Sequence, residues 1–298
     1  MTSAPSSTPR TTSRAGAWIH FVRERFQIPA LLLVGVAQGA SAQFVITDQL
    51  DGWALVIAVS GLAGLLATMR LMDELKDVEK DRVAHPDRPL ARGLISEGEA
   101  KRGLVVAIAA LGVGVVVLWV LNPVAGGLLG VCVAYSLLMY REFFVPDWLE
   151  SRPFWYAVSH QVVLLPMYAF ATAAAVPAAA TDAAVLWFGL TGLGASFTLE
   201  VCRKLDPAAH PVLRTYLSVS GPARTFAAAA AATLLAAVAA VPLGVQLFVW
   251  PAAGLLLVSL VVVARRPDRF ALPAVAATLL VVVQVLAPTL THVTGIGR

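Results

Sequence analysis

Nine apolar segments, each close to the roughly 20 residues that a helix needs to cross a bilayer, constrain the fold of this chain more than any other feature. They contain no period-two alternation of the kind that a transmembrane β-barrel requires, as residues 227–241 illustrate. We therefore expect an all-α integral membrane protein with nine transmembrane helices. The segments lie at 28–47, 53–75, 101–121, 123–140, 154–176, 183–203, 222–241, 244–264 and 270–291.

The composition excludes a soluble globular domain. Of the 298 residues, 58% are hydrophobic and 13% are charged, whereas soluble domains carry about 25% charged residues. Cys132 and Cys202 both lie in apolar runs and indicate neither a disulfide framework nor a metal site. The net charge of +4 is explained by where the basic residues lie, so we expect no nucleic-acid partner.

The chain begins with a basic stretch rich in Ser, Thr and Pro that lacks the apolar core of a secretory signal. We predict a disordered cytoplasmic tail over residues 1–17 and one transmembrane domain over residues 18–298. At the start of that domain, residues 18–26 (WIHFVRERF) are typical of a short interfacial helix.

The loops between the apolar segments predict the orientation. Of the 22 Lys and Arg residues, 21 lie in the tail, in loops on one side of the membrane or at the helix ends beside those loops, and Arg298 is the exception. Because basic loops stay in the cytoplasm, the N-terminus should be cytoplasmic and the C-terminus outside, which requires an odd number of spans. We expect a multi-pass protein of the plasma membrane.

The second apolar segment ends in an unusual stretch of acids and bases, RLMDELKDVEKDRVAHPDRPLARG at 70–93. Asp73, Asp77 and Asp81 recur every four residues, so their carboxylates form a stripe along one helix face, with Glu74 beside it. Such charges repel one another unless a cation binds. Oxygen ligands without His or Cys suit Mg²⁺ together with substrate phosphates. Three bases alongside suit a diphosphate directly, namely Arg82, Arg88 and Arg92. The alternative is a solvated helix end held by Glu–Lys pairs.

This stretch resembles the first signature of the UbiA superfamily of intramembrane prenyltransferases, N-D-x-x-D-x-x-x-D followed by R-P-L-x-x-G. The second part is present as Arg88-Pro89-Leu90-x-x-Gly93. Asp73 stands where the family has Asn, and Glu74 where it has Asp. The resemblance implies a nine-helix bundle with an active-site cavity open to the cytoplasm. It also implies a Mg²⁺ site formed by Asp73, Glu74, Asp77 and Asp81.

The second acidic signature of that family, D-x-x-x-D at the end of helix six, is altered here. In FTLEVCRKLD (197–206), Glu200 matches the first acid but Lys204 replaces the second. Asp206 lies roughly 240° round the helix from Glu200 and does not restore the pair. Arg203 and Lys204 can contact a diphosphate directly. The alternative is that both are interfacial anchors.

Two further places in the sequence contain candidate site residues. Tyr140 and Arg141 lie where the family places a Tyr and a base near the diphosphate, and an interfacial anchor is the alternative for Arg141. His160 shares a helix face with Tyr156 in the fifth segment. It can accept a proton late in the reaction, or it can simply hydrogen-bond between helices.

These features predict a Mg²⁺-dependent transferase that moves a prenyl group from a prenyl diphosphate to a lipophilic, aromatic acceptor within the bilayer. The residues expected to act in catalysis are Asp73, Asp77, Asp81, Glu200 and Lys204. A terpene cyclase of the same fold, acting without a second substrate, is the main alternative. A transporter agrees less well, because the spans lack charged residues at mid-membrane apart from His160.

Overall fold

The computed structural model describes residues 13–296, and the regular elements within that range are all helices. Short 3₁₀ turns occupy Glu142–Phe144, Pro177–Thr181, Pro211–Leu213 and Pro267–Arg269. The α-helices are α1 (Arg14–Arg25), α2 (Ile28–Phe44), α3 (Gly52–Lys76), α4 (Val78–Ala84), α5 (Glu97–Leu121), α6 (Pro123–Tyr140), α7 (Pro146–Glu150), α8 (Pro153–Gln161), α9 (Leu164–Ala173), α10 (Ala183–Cys202), α11 (Tyr216–Ala239), α12 (Gln246–Arg265) and α13 (Ala271–Thr294).

Seven of these helices are long and apolar enough to cross a membrane: α3, α5, α6, α10, α11, α12 and α13 with the turn before it. The protein is therefore a multi-pass membrane protein. The other two predicted spans differ. The first, α2, has 17 residues, and the fifth is divided into α8 and α9. The division falls at Val162, because Pro166 has no N–H to donate to the carbonyl of Val162 four residues earlier.

The first described helix begins earlier than the sequence predicted. Ser13 caps α1, and its hydroxyl oxygen accepts a hydrogen bond from the backbone N–H of Gly16 at 3.2 Å. The helix therefore starts at Arg14 rather than at residue 18, so residues 14–17 are helical and not part of a disordered tail. Residues 1–12 of the predicted tail lie outside the described range.

The long helices pack as a ring in chain order. Each contacts the next, from α2 through α3, α5, α6, α9, α10, α11 and α12 to α13, and α13 closes the ring against α2. Helix α10 also contacts α13 across the ring. Its close approach to α11 depends on Gly194, since a Cβ atom there would lie 2.6 Å from the carbonyl oxygen of Ala232.

One end of the ring is covered by α1. The fully buried ring of Phe21 packs with Leu71, Met72 and Leu75 near the end of α3, and Tyr140 at the end of α6 joins the same cluster. This apolar cluster fixes one face of the last turn of α3. The opposite face of that turn is left to carry the carboxylates described below.

Candidate active site

Two carboxylates at the end of α3 have no cationic partner in the part of the chain that the structure describes. The side chains of Asp73 and Asp77 are accessible and form neither a hydrogen bond nor an ion pair there. The surrounding protein nevertheless desolvates Asp77, and this burial, together with the charge of Asp81, raises the pKa of Asp77 above its ordinary value. Asp77 is thus accessible to solvent while the neighbouring protein atoms partly desolvate it.

The third acid of the stripe, Asp81, and the neighbouring Glu74 have partners. Glu74 is 3% exposed, and its Oε1 pairs with the guanidinium groups of Arg25 at 2.6 Å and Arg70 at 3.0 Å. The Oδ1 of Asp81 pairs with Arg88 at 2.6 Å. Metal binding by Glu74 stays a prediction; because its carboxylate is engaged by Arg25 of α1 and by Arg70, we place the candidate ion at Asp73 and Asp77. Asp81 remains close enough to influence Asp77, but its charge is balanced by Arg88.

The end of α10 faces these carboxylates. Glu200 pairs with Arg203 and with Lys204, at 2.5 Å in each case. The charge of Glu200 acts on Asp73, and that of Lys204 acts on Asp77. The two altered signatures predicted from the sequence therefore meet at one end of the bundle. With one acid and two bases, the α10 cluster carries a net charge of +1 that is available to an anion.

The remaining predicted phosphate contacts differ in their exposure and in their partners. Arg92 is held by Glu24 of α1, with nitrogen–oxygen distances of 2.7 Å and 3.0 Å, and this bond lowers the pKa of Glu24. Arg92 therefore ties α1 to the loop, and its contact with phosphate stays a prediction. Arg141 is exposed and has no ion pair within residues 13–296. Tyr140 is partly buried against the apolar cluster under α1.

A second polar cluster adjoins the carboxylates, and two of its members were not predicted. Lys76 of α3 forms an ion pair with Glu142 and donates a hydrogen bond to the hydroxyl of Tyr156 at 3.1 Å. The same hydroxyl donates to Glu142 at 2.9 Å. His160 stacks on Tyr156 with ring centroids 4.0 Å apart, which confirms that these two residues share a face.

Neither Lys76 nor Glu142 was among the residues predicted from the sequence to act in the site. Their positions were the available signal: Lys76 directly precedes Asp77, and Glu142 directly follows the Tyr140–Arg141 pair. The sequence did not predict the backbone conformation between α6 and α7, which turns Glu142 back towards α3. Glu142, Phe143 and Phe144 all have positive φ angles, of 49°, 52° and 61°.

The carboxylates suit a magnesium ion that also binds substrate phosphate. No group of three or more His, Cys, Asp or Glu side chains among the described residues could hold a metal by itself. Mg²⁺ commonly uses one or two carboxylates and completes its shell with phosphate oxygens and water. Asp73 and Asp77 provide that donor set. Two open pockets, of about 410 and 320 Å³, lie elsewhere, along α9–α12, and the cavity open to the cytoplasm stays a prediction.

Comparison with known proteins agrees with this arrangement. The UbiA prenyltransferase family model matches residues 28–288. A solved structure described as digeranylgeranylglyceryl phosphate synthase in membranes has a TM-score of 0.63 to this chain, with 13% identity over 91% of this chain and 98% of its own. At that identity the likeness is one of fold. No curated protein matches the sequence. The family match covers nearly all of the helical ring, and the chain therefore belongs to the UbiA prenyltransferase family and is a membrane prenyltransferase.

Proposed function

We propose that this enzyme transfers a prenyl group from a prenyl diphosphate to a lipophilic acceptor of aromatic character, in a Mg²⁺-dependent reaction. One observation carries the proposal. Among the acids of the two signatures, only Asp73 and Asp77 form no ion pair within the described residues. Their charge therefore calls for a cation from outside the protein, at a place where bases capable of binding phosphate lie close by.

Asp73 and Asp77 would hold the ion, and Mg²⁺ bound there would offset the negative charge that grows on the diphosphate as the C–O bond breaks. Lys204, whose charge acts on Asp77, and Arg203 lie at the end of α10, and Arg141 lies at the end of α6. They bind the diphosphate oxygens directly through charge-assisted hydrogen bonds. Lys204 thus supplies the positive charge for which the family uses a second acid and its metal.

The apolar ring of helices receives the isoprenoid chain and keeps water from the allylic cation. Aromatic faces stabilise such a cation. Tyr168 and Phe188 are both buried inside the ring and pack edge to face, with centroids 4.5 Å apart. The lipid chain can enter from the bilayer, so the reaction needs no aqueous path for its apolar substrates.

The test is a product assay on purified protein in detergent, with Mg²⁺ and prenyl diphosphates of several lengths, with and without phenolic and quinol acceptors. We expect prenylated acceptor and released diphosphate, and no product in EDTA. A cyclic hydrocarbon or alcohol formed without acceptor would instead establish a terpene cyclase. If neither the acceptor nor the prenyl diphosphate is converted while the protein remains folded, the proposal is wrong.

A further inference from the structure

The imidazole of His160 is held in one tautomer. Its Nδ1 lies 2.9 Å from the backbone carbonyl oxygen of Tyr156 and 3.2 Å from the hydroxyl of Ser159. A carbonyl oxygen can only accept, so Nδ1 carries the hydrogen. In the neutral ring the basic nitrogen is therefore Nε2.

That nitrogen faces a carboxylate oxygen. Nε2 of His160 lies 3.5 Å from Oε2 of Glu142, and both atoms are buried without a hydrogen-bond partner. The other oxygen of Glu142 is already engaged by Lys76 and Tyr156. Both atoms are hydrogen-bond acceptors, so neither can satisfy the other as long as no hydrogen lies between them. One proton placed between them forms a hydrogen bond that satisfies both. The pair is thus a binding site for one proton.

The surroundings keep water away from this pair and connect it to the carboxylates of α3. The ring of Phe143 meets His160 edge to face, at 5.6 Å, and Tyr156 stacks on its other side. The charged and titratable groups around the pair are Lys76 and Tyr156, with Asp73 and Asp77 acting on Tyr156 from beyond. The pair therefore lies near the carboxylates of Asp73 and Asp77, where the diphosphate is proposed to bind.

The turn that carries Glu142 is strained. Three consecutive residues other than glycine adopt the left-handed conformation, Glu142 to Phe144, at about 1–2 kcal/mol for each. Such a conformation persists only where other contacts enforce it, and it is typical of functional sites. Here the contacts are those of Glu142 with Lys76 and Tyr156 and of the Phe143 ring with Tyr135, at 5.4 Å, and His160. The strained turn is thus the segment that brings Oε2 of Glu142 to the imidazole of His160.

We propose that His160 accepts, on Nε2, the proton that the reaction releases, and that Glu142 is the positioning residue that stabilises the resulting imidazolium. This inference rests on the proposed function. The C–O bond of the prenyl diphosphate breaks and its electrons leave with the diphosphate. The acceptor donates an electron pair to the prenyl carbon, and the acceptor's proton moves to Nε2. Substrate atoms and charges then balance, with diphosphate and prenylated acceptor as products.

The tautomer is tested without turnover. Protein labelled with ¹⁵N at histidine is studied by NMR in detergent, and the His160 signals are assigned by their loss in His160→Asn. We expect the Nδ1–H tautomer at neutral pH and a titration of Nε2 that Glu142→Gln shifts. Control variant Glu150→Gln, altered at a half-exposed acid bound to Lys80, should leave it unchanged. A ring with its hydrogen on Nε2 contradicts the inference, whatever the activity of the parent enzyme.

Turnover provides the second test, measured against the active parent so that an inactive parent counts only against the proposed function. His160→Ala should lower kcat by 10²-fold or more, with little change in KM for the prenyl diphosphate. Added imidazole should restore part of the rate. Glu142→Gln should move the acid limb of the pH–rate profile. If His160→Ala keeps the parental kcat, or loses thermal stability and is not rescued by imidazole, the pair is structural and the inference fails.

Discussion

At the scale of single residues, the acids of the site differ mainly in whether each forms an ion pair with a basic side chain, and their spacing in the sequence does not show this difference. Four predicted metal ligands lie close together in the sequence stretch, yet Glu74 and Asp81 are balanced by arginines while Asp73 and Asp77 are not. The i, i+4 repeat predicts a stripe along one helix face, but the structure divides this stretch at Asp77, so that Asp73 lies on α3 and Asp81 on α4. The partners could not be read, since Arg25 lies 49 residues from Glu74 in the chain.

Replacing Asp77 by Asn should lower the activity of the enzyme and raise the stability of the metal-free protein. Loss of the carboxylate should lower turnover by a factor on the order of 10²–10³, the scale of one lost transition-state contact. The raised pKa of Asp77 means that its ionised form destabilises the metal-free fold once the pH exceeds the ordinary value of about 3.9. In EDTA at pH 7, Asp77→Asn should therefore have a higher Tm than the parent, and the difference should shrink as the pH falls towards 4.

The matched control for this experiment is Asp147→Asn, which removes an exposed acid at the beginning of α7. It should leave both turnover and Tm close to those of the parent. A parental rate for Asp77→Asn, or full activity of the parent in EDTA, would show that the bases alone bind the diphosphate.

Lys204→Ala tests whether the altered α10 signature has a mechanistic role. If the ammonium group contacts the diphosphate, kcat/KM should fall by about 10²–10³-fold. Glu200 keeps Arg203 as a partner in this variant, so folding should be preserved. Lys204→Asp should also be inactive, because it puts a negative charge beside the phosphates in a site matched to a cation. Arg224→Ala removes an exposed base at the same side of the bundle and is the control. Equal rates for Lys204→Ala and the control would make Lys204 an interfacial anchor.

At the scale of elements, contacts between helix ends decide what the sequence pattern leaves open. Helix α1 was predicted as an interfacial helix from its aromatic and basic residues, but its connection to α3 through Arg25 and Glu74 was not. Removing one partner of a buried ion pair costs about 3–5 kcal/mol. Glu74→Ala, which leaves Arg25 and Arg70 without a counter-charge, should therefore lower the Tm measured in detergent by several degrees.

The comparison variant for Glu74 is Glu79→Ala, since the Glu79 side chain is 76% exposed and surface changes stay within about 0.5 kcal/mol. Equal Tm values for the two variants would mean that α1 does not stabilise the end of α3 through this pair. Added Mg²⁺ and substrate should not change the order of the two variants, because Glu74 is not proposed to bind metal.

The left-handed turn between α6 and α7 makes a separate prediction. Phe144 is 72% exposed, so its replacement by Gly loses little packing. Glycine adopts positive φ without the penalty of about 1–2 kcal/mol that a side chain incurs. Phe144→Gly should therefore raise the free energy of unfolding or leave it unchanged, as measured by thermal unfolding in detergent. Leu138→Gly, at an exposed position inside α6, should lower it by about 1 kcal/mol. A similar loss in both variants would show that the turn is not strained.

At the scale of the whole molecule, much of the architecture could be predicted from the sequence. Backbone polar groups inside a bilayer must hydrogen-bond within the protein, so few backbone structures can span it. The apolar segments, the helical class and the meeting of the second and sixth predicted spans at one end all followed from pattern. Helix ends and breaks did not follow. The division between α8 and α9 depends on Pro166, and the earlier start of α5 depends on the capping box of Ser96 and Glu99. Both are local hydrogen-bonding effects within a uniformly apolar pattern.

The number of membrane crossings is the remaining prediction at this scale, and a reporter at the C-terminus alone does not decide it. Seven long helices and nine predicted spans are both odd numbers, so either places the C-terminus outside when the N-terminus is cytoplasmic. The two cases differ at α2 and at the α8–α9 pair. With 17 residues at about 1.5 Å each, α2 is roughly 26 Å long, slightly less than a hydrocarbon core of about 30 Å. Polar residues at its ends, including Gln27 and Gln43, fit a short span at both interfaces.

Reporters inserted after Gln49 and after Ala178 separate the two cases. Both insertion points lie in segments without Lys or Arg, so the positive-inside rule predicts that both are outside. A third reporter at Asp87, in the basic loop after α4, should be cytoplasmic. Cytoplasmic labelling after Gln49 would mean that α2 lies along the interface. Cytoplasmic labelling after Ala178 would mean that α8 and α9 form a re-entrant pair, which would place His160 at the cytoplasmic surface and remove the apolar surroundings that the proton-accepting pair requires.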